Sequence, residues 1–586
     1  MTTFLNVTHS ATGRRWIGPA LEEDRLAQAL ARDADLPLPL ARLLAARGVA
    51  AAEVAGFLDP RLRDLLPDPL TLRDMGSAAA RVVSAVLGRQ RIAVFADYDV
   101  DGGASAALLI HWMRHFGVTP TLYIPDRIDE GYGPNDAAMA GLAAAHELII
   151  CVDCGTLSHG PIAAARGADV VVLDHHLGGD TLPPALAVVN PNRQDEDGTL
   201  SHMCAAGVVF LLLVQANRQL RANGPQGPDL MGYLDLVALA TVADVAPLTG
   251  VNRALVRQGL AVMARRQRPG LVALADGAGL DRAPDTYHLG FVLGPRVNAG
   301  GRIGQADLGA RLLATDDPAL AIRLAARLEV LNTDRRAIEA AVRDEALAQA
   351  QARGTDGPLV WAVGAGWHPG VVGIVAARLK EATHRPAVVI GVDGGIGKGS
   401  ARSVTGIDLG AAVHRLEAEG LITRGGGHRM AAGLTLPEAA IPAAMARLAD
   451  LLARQGTALG AGWGGPGDLR IDGMLLPGAA TVDLVAALDQ AGPFGAAAPA
   501  PRFALPALAV RFAKRVGTGH VKLTLAGDDG AKLDAIAFNA AETGLGRLLE
   551  STAGVRLHVA GRLEGNQWQG RRTVQLRIED AAPATD

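Results

Sequence analysis

Short, continuous apolar runs alternate with stretches of helical periodicity between residues 91 and 174. The runs are RIAVFA, TPTLYI, ELIICV and ADVVVL, and the stretches between them include ASAALLIHWMRHFG. Apolar strands that alternate with helices are typical of βαβ units, in which a parallel sheet is covered by helices on both faces. The pattern therefore predicts an α/β fold.

Acidic residues stand where three of these runs end. RIAVFA leads into Asp97, Asp99 and Asp101, ELIICV leads into Asp153, and ADVVVL leads into Asp174-His175-His176, while Asp244 follows the later apolar run LVALATVA. The carboxyl ends of parallel strands meet at one edge of a sheet, where open α/β sheets bind ligands. Alternate residues of an extended segment point to the same side, so the first three carboxylates repel one another and require a multivalent cation.

These residues also have other interpretations. The D-x-D-x-D-G pattern opens a calcium-binding EF-hand loop as well, but Leu108 occupies the position of the bidentate glutamate and a strand precedes the motif. Cys151 and Cys154 lack the second pair that a zinc site needs, and we interpret them as packing residues. A solvated acidic turn, and for Asp244 a helix or turn cap, are the remaining alternatives.

Carboxylates with imidazoles and without thiolates are the ligands of Mg²⁺ or Mn²⁺. The number of these ligands exceeds the needs of one ion. Two ions about 3.5–4 Å apart activate water and stabilise the leaving oxygen in phosphoryl displacement. The residues therefore predict a two-metal hydrolase of phosphoesters or phosphoanhydrides.

The rest of the chain predicts further segments. Residues 307–353 are rich in Ala, Leu, Arg and Glu without a strand signal, a second α/β pattern follows Pro358, and alternating strands dominate after the Gly-rich stretch GTALGAGWGGPGD. We expect two α/β domains joined by a long helix, followed by a small antiparallel barrel. The expected limits are 1–90 for a helical segment, 91–306 for the first domain, 307–356 for the helix, 357–455 for the second domain and 466–586 for the barrel.

Composition narrows the function classes. A net charge of −4 over 586 residues excludes a uniformly basic nucleic-acid coat, and three cysteines form no disulfide framework, which favours the reducing cytoplasm. The start MTTFLNVTHSATGRRW has no apolar core of a signal peptide, and no apolar stretch approaches the ~18 residues of a membrane span. We expect neither export nor membrane insertion.

The motifs ADYDVDG, VDCG, DHH and TVADVAPL resemble those of the DHH phosphoesterase superfamily. Within it, RIDEGYG, GPRVNAGGRIG, WHPGVVGIVAARL, GSARS and GGGHRMAAG resemble the RecJ family of single-strand-specific 5′→3′ DNA exonucleases. The resemblance implies a DHH catalytic domain, a DHHA1-like nucleic-acid-binding domain and a terminal OB-fold barrel.

The resemblance also implies roles for individual residues. One ion would be held by Asp97, Asp99 and Asp153, and the other by Asp101, Asp153, His175 and Asp244. His176 would contact the phosphate or orient the ligands, and Asp174 would support a histidine from behind. The residues expected to bind the nucleic-acid phosphates are Arg127, Arg296, Asn298, Arg302, His368, Ser400, Arg402, Gly426, Gly427 and His428. Candidates for strand binding on the barrel are Arg511, Phe512, Lys514, Arg515, Lys522, Trp568, Arg571 and Arg572.

The implied function is exonucleolytic release of nucleoside 5′-monophosphates from the 5′ end of single-stranded DNA, with two Mn²⁺ or Mg²⁺ ions, in recombination and repair. The implied partners are a single-strand-binding protein and a RecQ-type helicase, and the implied state is a monomer. Two alternatives are kept: a hydrolase of short oligoribonucleotides or cyclic dinucleotides, and a non-catalytic DNA-binding scaffold.

Overall fold

The computed structural model describes residues 3–126, 130–459, 465–550, 555–568 and 571–584. The chain forms two compact units. One comprises Met1–Leu66, Leu248–Ala254 and Pro466–Asp586, and the other comprises Pro67–Pro247 and Leu255–Gly465. Residues up to Leu66 thus belong to the first of these units, and the chain enters the second at Pro67.

The second unit begins with a five-stranded sheet in which every pairing is parallel, as predicted. Its strands, in spatial order, are Thr121–Tyr123, Ile92–Ala96, Leu148–Val152, Asp169–Leu173 and Ala187–Val189. Every residue of Ile92–Ala96 and Leu148–Val152 is buried, which agrees with their unbroken apolar sequence. The strands that precede the acidic residues therefore lie side by side at the centre of the sheet.

Helices precede, connect and follow these strands along the chain. They are Met75–Leu87, Val100–His115, Asp136–Ala145, His159–Ala164, Ala205–Asn223, Leu234–Ala243, Gly250–Met263, Pro269–Gly277, Gly294–Ile303 and Leu308–Ala314. A π-helical segment, His288–Leu293, leads directly into Gly294–Ile303.

A helix of 36 residues, Pro318–Arg353, connects this sheet to the next. It begins where Asp317 accepts a hydrogen bond from the Ala319 N–H and Pro318 occupies the first turn, where a missing N–H has no effect. The expected connecting segment 307–356 therefore holds this helix and, before it, the separate short helix Leu308–Ala314.

The second sheet of this unit is mixed. Its spatial order is Arg424–His428, Ala431–Pro437, Ile396–Arg402, Ala387–Asp393 and Val360–Ala365, and only the last pair is parallel. The helices on it are Pro369–Thr383, Leu409–Ala418 and Ile441–Leu459. The glycine run near residue 425 thus lies in an edge strand of this sheet.

The other unit contains a closed five-stranded barrel. Its strands are Phe503–Val516, His520–Ala526, Lys532–Ala537, Arg571–Pro583 and Leu557–Trp568, and the ring closes where the last of these pairs with the first. The barrel is antiparallel, as expected, except that Lys532–Ala537 pairs in parallel with Arg571–Pro583. Two short strands, Trp16–Ile17 and Leu469–Arg470, pair beside it, and Gly473–Met474 joins Phe503–Val516.

The remaining helices of this unit are Leu21–Asp33, Leu38–Ala46, Val54–Leu58, Leu62–Leu65, Val482–Asp489 and Gly544–Glu550. Side chains of the first helices pack with the barrel interior in one apolar cluster that includes Leu40, Leu44, Leu505 and Leu523. None of the helices among the described residues combines the length and the apolar character that a membrane crossing requires.

Candidate metal centre

The loop after strand Ile92–Ala96 turns sharply into helix Val100–His115. Asp99 is the N-cap residue, and its Oδ1 accepts hydrogen bonds from the N–H groups of Asp101 (2.9 Å) and Gly102 (3.2 Å). A side chain at Gly102 would collide with the carbonyl oxygen of Asp97, so only glycine allows this close approach. The turn holds the three carboxylates of the acidic motif together.

Asp101 lies in the first turn of that helix and is fully buried. Its Oδ2 and Oδ1 accept hydrogen bonds from the N–H groups of Ala205 (2.6 Å) and Ala206 (2.8 Å), which begin helix Ala205–Asn223. Burial and the nearby charge of Asp99 raise the pKa of Asp101 above its usual value. Each oxygen keeps a second lone pair for a further partner.

Asp153 follows strand Leu148–Val152 with a φ of 60°, a left-handed conformation that is unfavourable for a non-glycine residue. Its Oδ1 is buried and, among the described residues, accepts no hydrogen bond. Nε2 of His175 lies 3.2 Å from this oxygen. Burial and the carboxylates of Asp101 and Asp99 raise the pKa of Asp153 well above its usual value.

Asp174 follows the neighbouring strand Asp169–Leu173 and supports both histidines. Its carboxylate accepts hydrogen bonds from the N–H groups of Thr156, His175 and His176 and from Nδ1 of His176 at 2.8 Å. Although burial disfavours its charge, the hydrogen bonds from His176 and Thr156 hold the pKa of Asp174 below its usual value. Burial likewise opposes the charge of His176, but Asp174 raises the pKa of His176 to about 9.

Asp244 is the C-cap residue of helix Leu234–Ala243, so the apolar run before it is a helix and not a strand. Its Oδ2 lies 3.9 Å from Nε2 of His175. Burial and the charge of Asp101 raise the pKa of Asp244 to about 8. Val245, the next residue, has a φ of 59° and is 70% exposed, an unusual combination for a β-branched side chain.

The donor atoms of these residues form three overlapping groups, in each of which the atoms lie within 4.8 Å of one another. The groups are Asp97 with Asp99 and Asp153, Asp101 with His175 and Asp244, and Asp153 with His175 and His176. Burial, and then the charge of the neighbouring carboxylates, raise the pKa values of Asp101, Asp153 and Asp244 and so disfavour their ionised forms. Buried oxygen donors of this kind fit hard divalent cations, whose charge would relieve that repulsion.

Three residues that the sequence interpretation missed also contact the centre. Tyr132 Oη lies 3.2 Å from a ring nitrogen of His176 and donates a hydrogen bond to the carbonyl oxygen of Asp153 (3.1 Å). Asn190 and Asn192 donate to the carbonyl oxygens of His176 (2.8 Å) and His175 (2.6 Å). Both asparagines follow strand Ala187–Val189, so the rule that located the acidic residues would have located them too.

Ser400 and Arg402 meet on the second sheet of the same unit. Nη1 of Arg402 donates hydrogen bonds to Ser400 Oγ (3.0 Å) and to the carbonyl oxygen of Ala401 (2.9 Å). A Cβ at Gly373, in helix Pro369–Thr383, would lie 3.1 Å from Ser400 Oγ and 3.2 Å from Arg402 Nη2. The helix backbone therefore passes directly over this pair.

The start of that helix also meets the end of helix Gly294–Ile303. His368 is the N-cap residue, its Nδ1 accepts a hydrogen bond from the Gly370 N–H, and a side chain at Gly370 would collide with the carbonyl oxygen of Arg302. Nη1 of Arg302 lies 3.4 Å from the carbonyl oxygen of Gly370. Arg302 and His368 are therefore neighbours.

Two further residues of helix Gly294–Ile303 have defined partners. Asn298 Oδ1 accepts a hydrogen bond from the Val100 N–H at 3.0 Å, which fixes the acidic turn. Arg296 pairs with Glu329 of the long helix and donates to the carbonyl oxygen of Val292. Its guanidinium is thus engaged within the protein.

His428 ends strand Arg424–His428, and its Nδ1 accepts a hydrogen bond from the Met430 N–H. A side chain at Gly427 would collide with the carbonyl oxygen of Ala431, so this glycine is needed for the hairpin itself. At Gly426 the nearest atom to an added Cβ is His414 Cε1 at 3.7 Å, which leaves space beside the strand. Arg127 lies outside the described residues.

On the barrel, Arg511, Phe512, Lys514, Lys522 and Arg572 are exposed. Arg515 pairs with Glu542 and Glu550. The side chains of Trp568 and Arg571 are outside the described part of the chain.

Comparison with known proteins gives the following likenesses. Family models match at residues 91–241 (DHH family, N-terminal domain), 356–454 (DHHA1 domain) and 471–580 (RecJ OB domain). The single-stranded-DNA-specific exonuclease RecJ of Dickeya dadantii (strain 3937) is 39% identical over 572 residues, which cover 94% of this chain and 96% of the relative. That of Escherichia coli (strain K12) is 36% identical over 575 residues, with the same coverage.

Among solved structures, RecJ in complex with Mn²⁺ from Thermus thermophilus is similar with a TM-score of 0.80 and 32% identity, covering 97% of this chain and 79% of that chain. The predicted combination of DHH, DHHA1-like and OB-fold domains is therefore confirmed. With these matches spread over nearly its whole length, the chain belongs to the RecJ family of single-stranded-DNA-specific exonucleases.

Proposed function

We propose that this chain is an exonuclease that uses Mn²⁺ or Mg²⁺ to hydrolyse single-stranded DNA from its 5′ end and releases nucleoside 5′-monophosphates. The observation that carries the proposal is the set of three donor groups joined through Asp153 and His175. The relatives named as single-stranded-DNA-specific exonucleases support the substrate class, and the T. thermophilus RecJ complexes with Mn²⁺ and with Mg²⁺ support the ions.

The residues of this centre would hold two ions. The first would be bound by Asp97, Asp99 and Asp153, and the second by Asp101, Asp153, His175 and Asp244. Two bound ions supply activation of the attacking water and stabilisation of the leaving oxygen.

Asp174 and His176 act beside the ions. Asp174 accepts a hydrogen bond from Nδ1 of His176 and raises the pKa of His176 to about 9, which favours the protonated imidazole that can donate a hydrogen bond to a phosphate oxygen. Tyr132 contacts the same ring and restrains its orientation. His176 is thus proposed to bind the scissile phosphate rather than an ion.

A second cluster would bind the strand backbone and the 5′ end. Its proposed members are Arg127, Arg296, Asn298, Arg302, His368, Ser400, Arg402, Gly426, Gly427 and His428. The support is strongest for Ser400 and Arg402, because they share a hydrogen bond under the backbone of Gly373. A guanidinium with a neighbouring hydroxyl suits a terminal phosphate, and a 5′-phosphate held there would fix the direction of degradation.

The setting of this activity is also a proposal. An enzyme that enters at an unpaired 5′ end acts on strands that a RecQ-type helicase exposes and a single-strand-binding protein coats, in recombination and repair. The proposed oligomeric state is a monomer. The three cysteines are free buried thiols, which supports a location in the cytoplasm.

The proposed domains are residues 1–90, 91–306, 307–356, 357–455 and 466–586.

The decisive test compares wild type with Asp153→Asn on single strands labelled at opposite ends, with Mn²⁺. Asp169→Asn is the matched control, because Asp169 begins strand Asp169–Leu173 at the opposite edge of the sheet and pairs with Arg81. We expect shortening only from the 5′ end in wild type and control, and a loss of about a thousandfold or more in Asp153→Asn. Loss of nucleotides from the 3′ end would contradict the proposed polarity.

The same assay separates the alternatives. Faster turnover of di- to pentanucleotides than of long strands would favour a hydrolase of short oligonucleotides. Strand binding without hydrolysis by wild type would favour a scaffold.

A further inference from the structure

Tyr287 and Phe291 form an aromatic pair on the surface of the unit that holds the metal centre. Their ring centroids lie 5.3 Å apart with the planes at 26°, and the residues are 52% and 71% exposed. Two large rings stacked on each other and open to solvent form a flat apolar surface that a planar partner can cover.

The segment that carries this pair is continuous with the metal centre. His288–Leu293 is π-helical, a form that occurs often at functional sites, and it runs without a break into helix Gly294–Ile303. Phe291 therefore stands seven residues before Asn298 on one continuous helical stretch. Asn298 is the residue whose side chain binds the Val100 N–H between two of the metal-site aspartates.

The same segment also packs against the helix that ends at Asp244. A Cβ at Gly290 would lie 3.4 Å from Val242 Cγ1, and a Cβ at Gly294 would lie 3.3 Å from Ala243 Cβ. The aromatic segment therefore packs on the last turn of the helix that ends at Asp244. Val245, which follows that aspartate, is also exposed.

The spacing between Phe291 and Asn298 can be compared with the length of a DNA strand. Seven residues of helix span roughly 10 Å, the axial separation between Phe291 and Asn298. Stacked nucleotides rise about 3.4 Å each, so this span corresponds to about three nucleotides of a strand whose phosphodiester lies at the acidic turn.

We propose that Tyr287 and Phe291 are a stacking platform for an unpaired base of the DNA strand held at the metal centre. The inference rests on the proposed function. Aromatic side chains bind bases of any sequence through their π faces, which is what a nuclease without sequence preference requires. In a duplex the faces of a base are covered by its neighbours, so the platform favours unpaired strands.

The test uses Phe291→Leu and Tyr287→Leu, singly and together, with Phe291→Trp as the variant that keeps a ring. Ile322→Ala, a change of another exposed apolar residue on the long helix, is the surface control. KM and kcat are measured with Mn²⁺ on a labelled single strand and on strands with one abasic site at successive positions near the 5′ end.

Loss of one stacking contact should raise KM about tenfold with little change in kcat, and Phe291→Trp and Ile322→Ala should behave as wild type. An abasic site at one position should raise KM for wild type and have no further effect on the double variant. Unchanged KM in the leucine variants, or equal sensitivity of wild type and double variant to every abasic site, would overturn the platform and favour a protein partner on these rings. Inactive wild type on every single strand would instead overturn the proposed function, and the stacking proposal with it.

Discussion

Nε2 of His175 lies 3.2 Å from Oδ1 of Asp153, although the two residues are 22 positions apart in the sequence. The two residues follow neighbouring parallel strands, Asp169–Leu173 and Leu148–Val152, so the sheet itself sets this distance. The same histidine nitrogen lies 3.7 Å from Asp101 Oδ2, which comes from the third strand end. One imidazole thus lies close to carboxylates that follow two different strands.

Binding of Mn²⁺ should stabilise the protein, because the cation relieves the repulsion among buried carboxylates. Asp153→Asn should melt at a higher temperature than wild type in chelator and should gain less on addition of Mn²⁺. Differential scanning fluorimetry with and without Mn²⁺ measures both effects, with Asp169→Asn as the control. An Asp153→Asn melting curve that shifts with Mn²⁺ as much as that of wild type would argue against this carboxylate as a ligand.

Replacing Asp174 should lower the hydrolytic activity without removing a proposed metal ligand. Asp174→Asn keeps the shape but loses the charge that holds the His176 ring and accepts several N–H groups, so we expect activity to fall about 10–100-fold. Steady-state hydrolysis of single-stranded DNA over a range of Mn²⁺ concentrations measures the loss. Activity equal to that of Asp169→Asn would show that the support from Asp174 is dispensable.

A methyl group at Gly102 should destabilise the protein, because it collides with the carbonyl oxygen of Asp97. We expect Gly102→Ala to lower the free energy of unfolding by about 1–3 kcal/mol. Gly141→Ala is the matched control: it lies in helix Asp136–Ala145 with no atom within 4 Å of an added Cβ, and it should stabilise by about 0.5–1 kcal/mol. Chemical denaturation of both variants checks the opposite signs.

Arg402 should matter most for strands that carry a 5′-phosphate. Arg402→Gln loses the guanidinium beside Ser400, so KM should rise about tenfold or more on a 5′-phosphorylated strand and much less on a strand with a 5′-hydroxyl. Arg415→Gln, an exposed residue of helix Leu409–Ala418 that pairs with Glu419, is the control. Equal losses on the two strands would remove Arg402 from the end-binding cluster.

Much of the centre was predictable because parallel strands place their ends together. To predict the positions of Asp153 and Asp174, it was enough to recognise the two buried strands that precede them, because ligands bind at the carboxyl ends of such strands. The position of Asp244 could not be predicted in this way, because the apolar run before it is a helix. An unbroken apolar run of this length does not distinguish a helix from a strand. The place of Asp244 beside His175 is a tertiary contact.

Contacts between distant segments were beyond the sequence pattern. The pairing of Arg296 with Glu329 depends on how two helices pack, and no local signal marks it. The parallel pair in the barrel joins Lys532–Ala537 to Arg571–Pro583, and a helix and another strand separate these two strands along the chain. Tyr132 lay within a recognised motif, but nothing in its neighbours indicates that its hydroxyl contacts His176.

The hydrogen bonds from Ala205 and Ala206 to Asp101 also bear on when the protein can become active during its synthesis. A ribosome releases the acidic turn long before it releases the amides that hold Asp101, and Asp244 emerges later still. A nascent chain that ends before Ala205 therefore lacks the amides that hold Asp101, and one that ends before Asp244 lacks a proposed ligand. The set of proposed ligands is therefore complete only once residue 244 has been synthesised, so a truncated chain that ends earlier lacks part of the metal centre.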